Sequence, residues 1–254
     1  MRSDNKALGT VQDALGLGSA KVDVAYTGMN AAIKVVDEIK TKLVAAREPG
    51  VDRSKVQEEI TQLQNQLVRI TTAAAFSGEN WLSVDSGDAA YSATKSIVAS
   101  FNRSSAGTVS VSTVDIDISS TELFDAADQS GILDTTFTTT GAGAATVSVS
   151  DLDITAAGID NTDIDDMISN VDGALASMST AAATLGAAKS RVSIQKDFVG
   201  ELMNAIDRGI STLVDADMTA ESTRLQALQT QQQLGIQALS IANSGAQSVL
   251  SLFR

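Results

Sequence analysis

The chain has 254 residues, of which 43% are hydrophobic, so it can bury a sizeable core and is not a disordered polypeptide. It contains no Cys and no His, which excludes disulfides, thiolate metal sites and histidine-based catalysis. Most hydrolase and metalloenzyme classes are thereby excluded, and we expect neither enzymatic activity nor a cofactor. The net charge of −13 argues against nucleic acid as a partner. No apolar run approaches the ~18 residues of a membrane span, so we expect no membrane insertion and no cleavable secretory signal.

The first segment reads as one long helix followed by a shorter one. Its apolar and small residues recur at alternating spacings of three and four, which predicts a helix over about residues 4–47. Pro49 and Gly50 end this helix, and Ser54 with Gln57 forms a capping-box pattern that starts a second, antiparallel helix. The predicted rod core consists of Leu15, Val22, Met29, Val36, Ile39, Leu43, Ile60, Leu63 and Leu67.

The middle of the chain is acidic and rich in Ser, Thr, Gly and Val. Residues 85–165 hold 2 basic and 13 acidic side chains, whereas residues 1–84 hold 10 of each. The segment 108–116 is echoed by the segment 146–154, and both alternate apolar and polar residues with one shift of phase. This predicts two similar strands, each with a β-bulge, in an exposed insert. Trp81, before the insert, is expected to plug the end of the helix pair rather than to anchor a ligand.

Four carboxylates in the insert are weak candidates for calcium ligands. Asp115, Asp117, Asp151 and Asp153 are the oxygen donors that this ion prefers. Neither an EF-hand loop nor a Gly-rich calcium repeat is present, so a solvated acidic face is the favoured interpretation and no metal is expected.

The last segment is again helical. A second rod begins near Ile164 and is followed, after a less regular stretch around residues 215–218, by a terminal helix. An apolar stripe that reaches the penultimate residue requires a partner helix. The two rods already pair with each other, so we expect the stripe to serve head-to-tail packing of copies into an open filament. This predicted polymerisation seam consists of Leu225, Leu228, Gln232, Gly235, Leu239, Ala242, Ala246, Val249 and Phe253.

The predicted fold class is therefore mainly α with a β-rich insert. Long antiparallel helical rods from both chain ends form a coiled-coil-like bundle, and a small β domain lies in the middle of the chain. The predicted segments are an N-terminal rod segment with a helix hairpin (1–84), an acidic β-rich outer domain (85–163), a C-terminal rod segment (164–218) and a terminal polymerisation helix (219–254).

Three stretches of the chain resemble bacterial flagellins. Residues 229–243 with 248–254 resemble the terminal helix of that family, and residues 56–63 resemble its second helix. Residues 76–82, FSGENWL, are similar to its F-N-G-x-x-L turn. The resemblance implies a structural subunit that self-assembles into the flagellar filament for motility. It also implies export by a flagellar secretion apparatus with a chaperone, and a location at the cell surface.

Two departures from the family pattern carry expectations. Flagellins begin with a further helix that pairs with the C-terminal one, whereas this chain opens where the first rod begins. We therefore expect a form that lacks the N-terminal-most helix and does not polymerise. Glu38 stands in the patch where many flagellins present an Arg to toll-like innate receptors, which argues against recognition by them.

Two other functions stay open at this stage. A hook-filament junction protein shares the terminal helices of flagellins. A cell-surface module could instead bind a glycan or a cation through the β insert.

Overall fold

The computed structural model describes residues 2–104 and 108–252, and the side chains of residues 3–104, 108–212 and 218–245. Within these residues, the helices are α1 (Arg2–Ala46), α2 (Arg53–Ala73) and α3 (Asn161–Leu252). Strands and one 3-10 helix (Val149–Asp151) lie between α2 and α3, which confirms the predicted fold class. The strands are β1 (Ala75–Phe76), β2 (Glu79–Asn80), β3 (Ser83–Val84), β4 (Thr94–Arg103), β5 (Val109–Asp117), β6 (Phe124–Asp125), β7 (Phe137–Thr138) and β8 (Thr146–Val147).

The chain folds into two compact units. One consists of Met1–Lys6 with Glu201–Arg254, and the other of Ala7–Gly200. In the smaller unit, the Asn5 side-chain amide donates to the carboxylate of Asp207. The larger unit holds the paired rods, α2 and the insert.

The rods of the larger unit pair antiparallel. Lys189 Nζ lies 2.7 Å from Asp23 Oδ1, and Arg47 Nε lies 2.5 Å from Asp165 Oδ1. Residue numbers therefore increase along α1 while those of the paired residues decrease along α3. Every position of the 3–4 stripe predicted for α1 is buried. These positions are Leu8, Val11, Leu15, Gly18, Val22, Ala25, Met29, Ala32, Val36, Ile39, Leu43 and Ala46.

The stripe of α3 keeps the same spacing. It is formed by Ile164, Met167, Val171, Ala174, Met178, Ala181, Leu185, Ala188, Val192 and Val199. Ile168 and Leu175, which follow two of these positions in the sequence, are only half-buried. The strict 3–4 alternation of a two-helix seam places Met167 and Ala174 inwards instead.

The start of α2 differs from the prediction. The N-cap is Asp52, whose side chain accepts from the Ser54 backbone N–H at 3.1 Å, so the assignment of Ser54 as N-cap was wrong. Gln57 does not complete a capping box. Its Nε2 donates to the Leu152 carbonyl and its Oε1 accepts from the Ile154 N–H, both at 2.9 Å. Gln57 therefore ties the insert to α2.

A tight turn between β1 and β2 follows α2. Gly78 has a φ of 81°, a left-handed conformation in which glycine is favoured. The turn delivers Trp81 to a buried position, where its Nε1 lies 3.2 Å from Glu79 Oε2. Lys21 of α1 lies 3.0 Å from the other carboxylate oxygen of Glu79. Trp81 is therefore buried, as expected of a side chain that plugs the end of the helix pair.

The two echoed segments of the insert adopt different structures. The first forms β5, which pairs antiparallel with β4. The second forms only the two-residue strand β8 before the 3-10 helix, so the prediction of two similar strands was wrong. The Leu152 carbonyl and Ile154 N–H in this second segment bond to Gln57 of α2 and not to a neighbouring strand, which explains the difference.

The predicted bulge also lies on another strand. The register shifts between Val98 and Ser100 of β4, while β5 continues regularly. In a regular strand, the apolar residues on the two sides of the phase shift must point to opposite faces. Val114 and Ile116 are accordingly buried, whereas Val109 and Val111 are exposed.

Carboxylates hold the insert to the start of α3. Asp160 accepts from the Asp163 N–H, and Asp163 Oδ2 accepts in return from the Asp160 N–H, both at 3.0 Å. The Gly143 N–H of the preceding loop also donates to Asp163 Oδ2 at 3.0 Å. The bond from the Asp160 backbone, followed by that from the Thr139 hydroxyl, lowers the pKa of Asp163 from 3.8 to about 2.

We expect Asp163→Asn to lower the unfolding temperature at pH 7, because a neutral amide accepts these backbone bonds less strongly than a carboxylate. The pKa of Asp163 is lower in the folded chain. Its stabilisation is therefore complete above the ordinary pKa and is lost as the pH falls towards about 2. The variant should thus lose less stability than the parent on acidification. Thermal unfolding followed by circular dichroism tests both effects, with the exposed Asp151→Asn as control. Equal stability at pH 7 would contradict this assignment.

Leu15 and Leu17 provide a matched test of the rod seam, because they are 0% and 47% exposed in the same helix. Leu15→Ala should cost about 2–5 kcal/mol of unfolding free energy, since it leaves a cavity between the rods. Leu17→Ala should change it by less than about 1 kcal/mol. Denaturant titrations measure both, and equal losses in the two variants would show that the seam is not the core.

Candidate self-assembly surface

The last part of α3 exposes the predicted seam. Every residue from 218 to 245 is exposed, and the Leu239 side chain is 73% accessible. Of the predicted seam, Leu225, Leu228, Gln232, Gly235, Leu239 and Ala242 lie on this exposed stretch. The side chains of Ala246 and Val249, and the whole of Phe253, lie outside the described residues.

A second apolar face runs along the same helix. Leu234 and Ile241 are seven residues apart and both exposed. At 100° per residue they lie roughly opposite the stripe that contains Leu228 and Leu239. Sequence reasoning missed this face because it followed a single stripe, although the step of seven was visible in the sequence. A helix that is apolar on two sides is typical of one surrounded by partners.

The rod-core residues contrast with the seam. All nine predicted positions lie on α1 and α2, and all are buried except Leu63, which is half-buried. The core and the seam share the 3–4 period but differ in burial: the core positions are buried or half-buried, whereas the described seam positions from 225 to 242 are exposed.

The weak calcium candidates serve as local hydrogen-bond acceptors. Asp115 accepts from the Ser96 hydroxyl at 2.7 Å across the hairpin, and Asp153 accepts from the Thr155 N–H at 2.7 Å. Asp117 accepts from Ser119, which lowers its pKa, and Asp151 is exposed in the 3-10 helix. Over residues 2–104 and 108–252, no cluster of three or more Asp, Glu, His or Cys could hold a metal ion.

The insert also contains buried carboxylates that sequence reasoning did not single out. Glu122 accepts from the Tyr91 hydroxyl at 2.5 Å; this bond raises the pKa of Tyr91 to about 12. Burial raises the pKa of Glu122. Asp125 is buried as well, but bonds from Ser86 and its neighbours hold its pKa below the usual range. These groups bond to the insert's own backbone and side chains, which makes them structural.

Glu38 lies on the exposed side of α1. It lines a shallow groove between α1 and α2 together with Tyr26, Thr27 and Lys34. Its carboxylate places a negative charge on this face of the rod. Among the described helices, none has the length and apolarity needed to cross a bilayer.

Comparison with known families accounts for the helical parts of the chain. Residues 1–86 match the family described as "Bacterial flagellin N-terminal helical region". Residues 168–253 match "Bacterial flagellin C-terminal helical region". The insert between them is covered by neither family.

Individual relatives match over the whole chain. Flagellin C of Rhizobium meliloti (strain 1021) is 49% identical over 270 residues, covering 100% of this chain and 84% of that protein. A flagellin of Brucella melitensis is 43% identical over 255 residues, covering 100% and 81%. The crystal structure of Bacillus cereus flagellin aligns at 15% identity and a TM-score of 0.45, covering 75% of this chain and 88% of that one. The chain belongs to the bacterial flagellins, structural proteins that self-assemble into the flagellar filament at the cell surface and are not enzymes.

Proposed function

We propose that the terminal stretch of α3 holds each subunit in the filament by packing its seam against helices of neighbouring copies. The observation that carries the proposal is the run of exposed residues from 218 to 245, which repeats the 3–4 period of the buried rod seam. Exposed apolar side chains such as Leu228 and Leu239 would each gain about 1.5–3 kcal/mol on full burial. Gln232, the polar member of the seam, would fix the register.

This role of the terminal stretch implies a role for each of the other segments of the chain. Residues 1–84 and 164–218 serve as the rod segments, and residues 219–254 as the polymerisation helix. Residues 85–163 serve as the variable outer domain. The acidic composition of this insert, with 13 acidic against 2 basic side chains in residues 85–165, suits a surface in contact with water.

We further propose that a flagellar export chaperone covers the seam before assembly and delivers the chain to the secretion apparatus. The support is physical: a stripe with Leu239 73% exposed would aggregate in the cell unless it were covered. The absence of Cys also suits transport of an unfolded chain between compartments of different redox state.

Leu239→Asp, made in the chromosomal gene so that the whole gene product is tested, should abolish the filament. An unpaired carboxylate buried in a helix seam costs more than about 3 kcal/mol, so filament yield should fall roughly a hundred-fold or more. Ser240→Asp is the matched control, because Ser240 lies on the polar side of the same turn. Electron microscopy of sheared filaments and swimming in soft agar measure the effect. Normal filaments from Leu239→Asp would refute the seam.

Glu38 leads to a separate proposal, that its charge weakens recognition by toll-like innate receptors. The exposed position on α1 supports it, since a receptor could reach this carboxylate. We expect Glu38→Arg to strengthen binding to a purified receptor ectodomain in surface plasmon resonance. Lys34→Glu on the same groove is expected to weaken it. Unchanged binding in Glu38→Arg would show that this position is not decisive.

A further inference from the structure

Met218 lies at the start of the exposed stretch of α3, and its thioether side chain is 65% exposed. It stands seven residues before Leu225, and the same step of seven leads on to Gln232 and Leu239. Seven residues make nearly two turns of an α-helix, so Met218 lies on the same face as the polymerisation seam. Residues 221–222, in the turn between, are polar. Met218 therefore extends the seam by one heptad and is the apolar contact of its own turn.

The other methionines among the described residues are less accessible. Met29 of α1 and both Met167 and Met178 of α3 are fully buried between the rods. Met203 is half-buried. The susceptibility of a thioether to peroxide follows its exposure to solvent. We therefore expect an oxidant to reach Met218 first, while the methionines of the rod core stay reduced.

Oxidation converts this side chain from apolar to strongly polar. Hydrogen peroxide transfers one oxygen atom to the Met218 sulfur, which is oxidised to the sulfoxide, and the peroxide is reduced to water. The sulfoxide oxygen accepts hydrogen bonds from water in the unassembled subunit. A helix that packs over the seam removes this water, and a buried acceptor without a donor is costly. Methionine sulfoxide reductases reverse the change: the oxygen leaves as water, and two thiols are oxidised to a disulfide.

We propose that Met218 is a reversible oxidation site at which hydrogen peroxide blocks assembly of the subunit. The proposal rests on the proposed function, because the effect requires the seam to be buried between copies. The methionines of the rod core stay reduced, so the oxidised subunit keeps its fold and loses its ability to assemble. Packing in the filament shields Met218, so peroxide acts on unassembled subunits and spares finished filaments.

Peroxide treatment of subunits tests the site. Filaments of the whole gene product are dissociated, and the subunits are treated with hydrogen peroxide and then seeded with filament fragments. Peptide mass spectrometry should find Met218 oxidised at least ten-fold faster than Met29, Met167 and Met178. The rate of filament growth, followed by light scattering, should fall at least ten-fold and recover after treatment with methionine sulfoxide reductases A and B and dithiothreitol. Subunits that carry the Met218 sulfoxide and grow at the untreated rate would overturn the proposal.

Two variants assign the effect to one residue. Met218→Leu keeps an apolar side chain of similar volume, so it should assemble like the parent and keep its growth rate after peroxide treatment. Met203→Leu is the matched control, and it should remain as sensitive as the parent because Met218 is still present. A Met218→Leu variant that loses growth to the same extent as the parent would contradict the assignment.

Shielding in the filament gives a measurement that needs no variant. Met218 should be oxidised at least ten-fold more slowly in intact filaments than in subunits, and equal rates would overturn the proposal. Leu239→Asp separates the two proposals. If that variant keeps normal filaments, the seam itself fails. If it abolishes filaments while oxidised subunits still assemble, only the oxidation site fails.

Discussion

The pairing of α1 with α3 through a buried 3–4 stripe is the interaction on which the rest of the larger unit depends. Leu15, Val22 and Met29 are fully buried in this seam, and Lys189 with Asp23 closes its edge at 2.7 Å. The other elements attach to this pair: α2 folds back on α1, and the insert is tied to α2 by Gln57 and to α3 by Asp163. A substitution that separates α1 from α3 would therefore also weaken the attachment of α2 and the insert.

The same heptad period occurs in two stretches of α3 that differ in burial. Between Ile164 and Val199 it is matched by a partner within the chain, whereas from 218 to 245 the same period is exposed. The 3–4 period predicts that a helix packs against a partner helix. In the proposed function, neighbouring copies supply that partner to the exposed stretch, because every subunit presents an identical surface.

The helical parts could be predicted from sequence because the 3–4 spacing, Pro49 and Gly50 act over short distances. The burial of all twelve α1 positions followed from that spacing alone. The insert could not be predicted in the same way. Its second echoed segment bonds through Leu152 and Ile154 to Gln57, about 95 residues earlier, and such a contact overrides local strand propensity. The groove between α1 and α2 was equally invisible, since it arises from small side chains on two different helices.

The length of chain that separates the two rods sets the order in which the molecule can fold. Lys40 and Asp172 are 132 residues apart, and Arg47 and Asp165 are 118 apart. During synthesis, α1 and α2 emerge together and can form their hairpin early. The main seam must wait until the insert and most of α3 have left the ribosome, because closing so long a loop precedes any gain from burial. A nascent flagellin of this kind thus spends most of its synthesis with its longest apolar stripe uncovered.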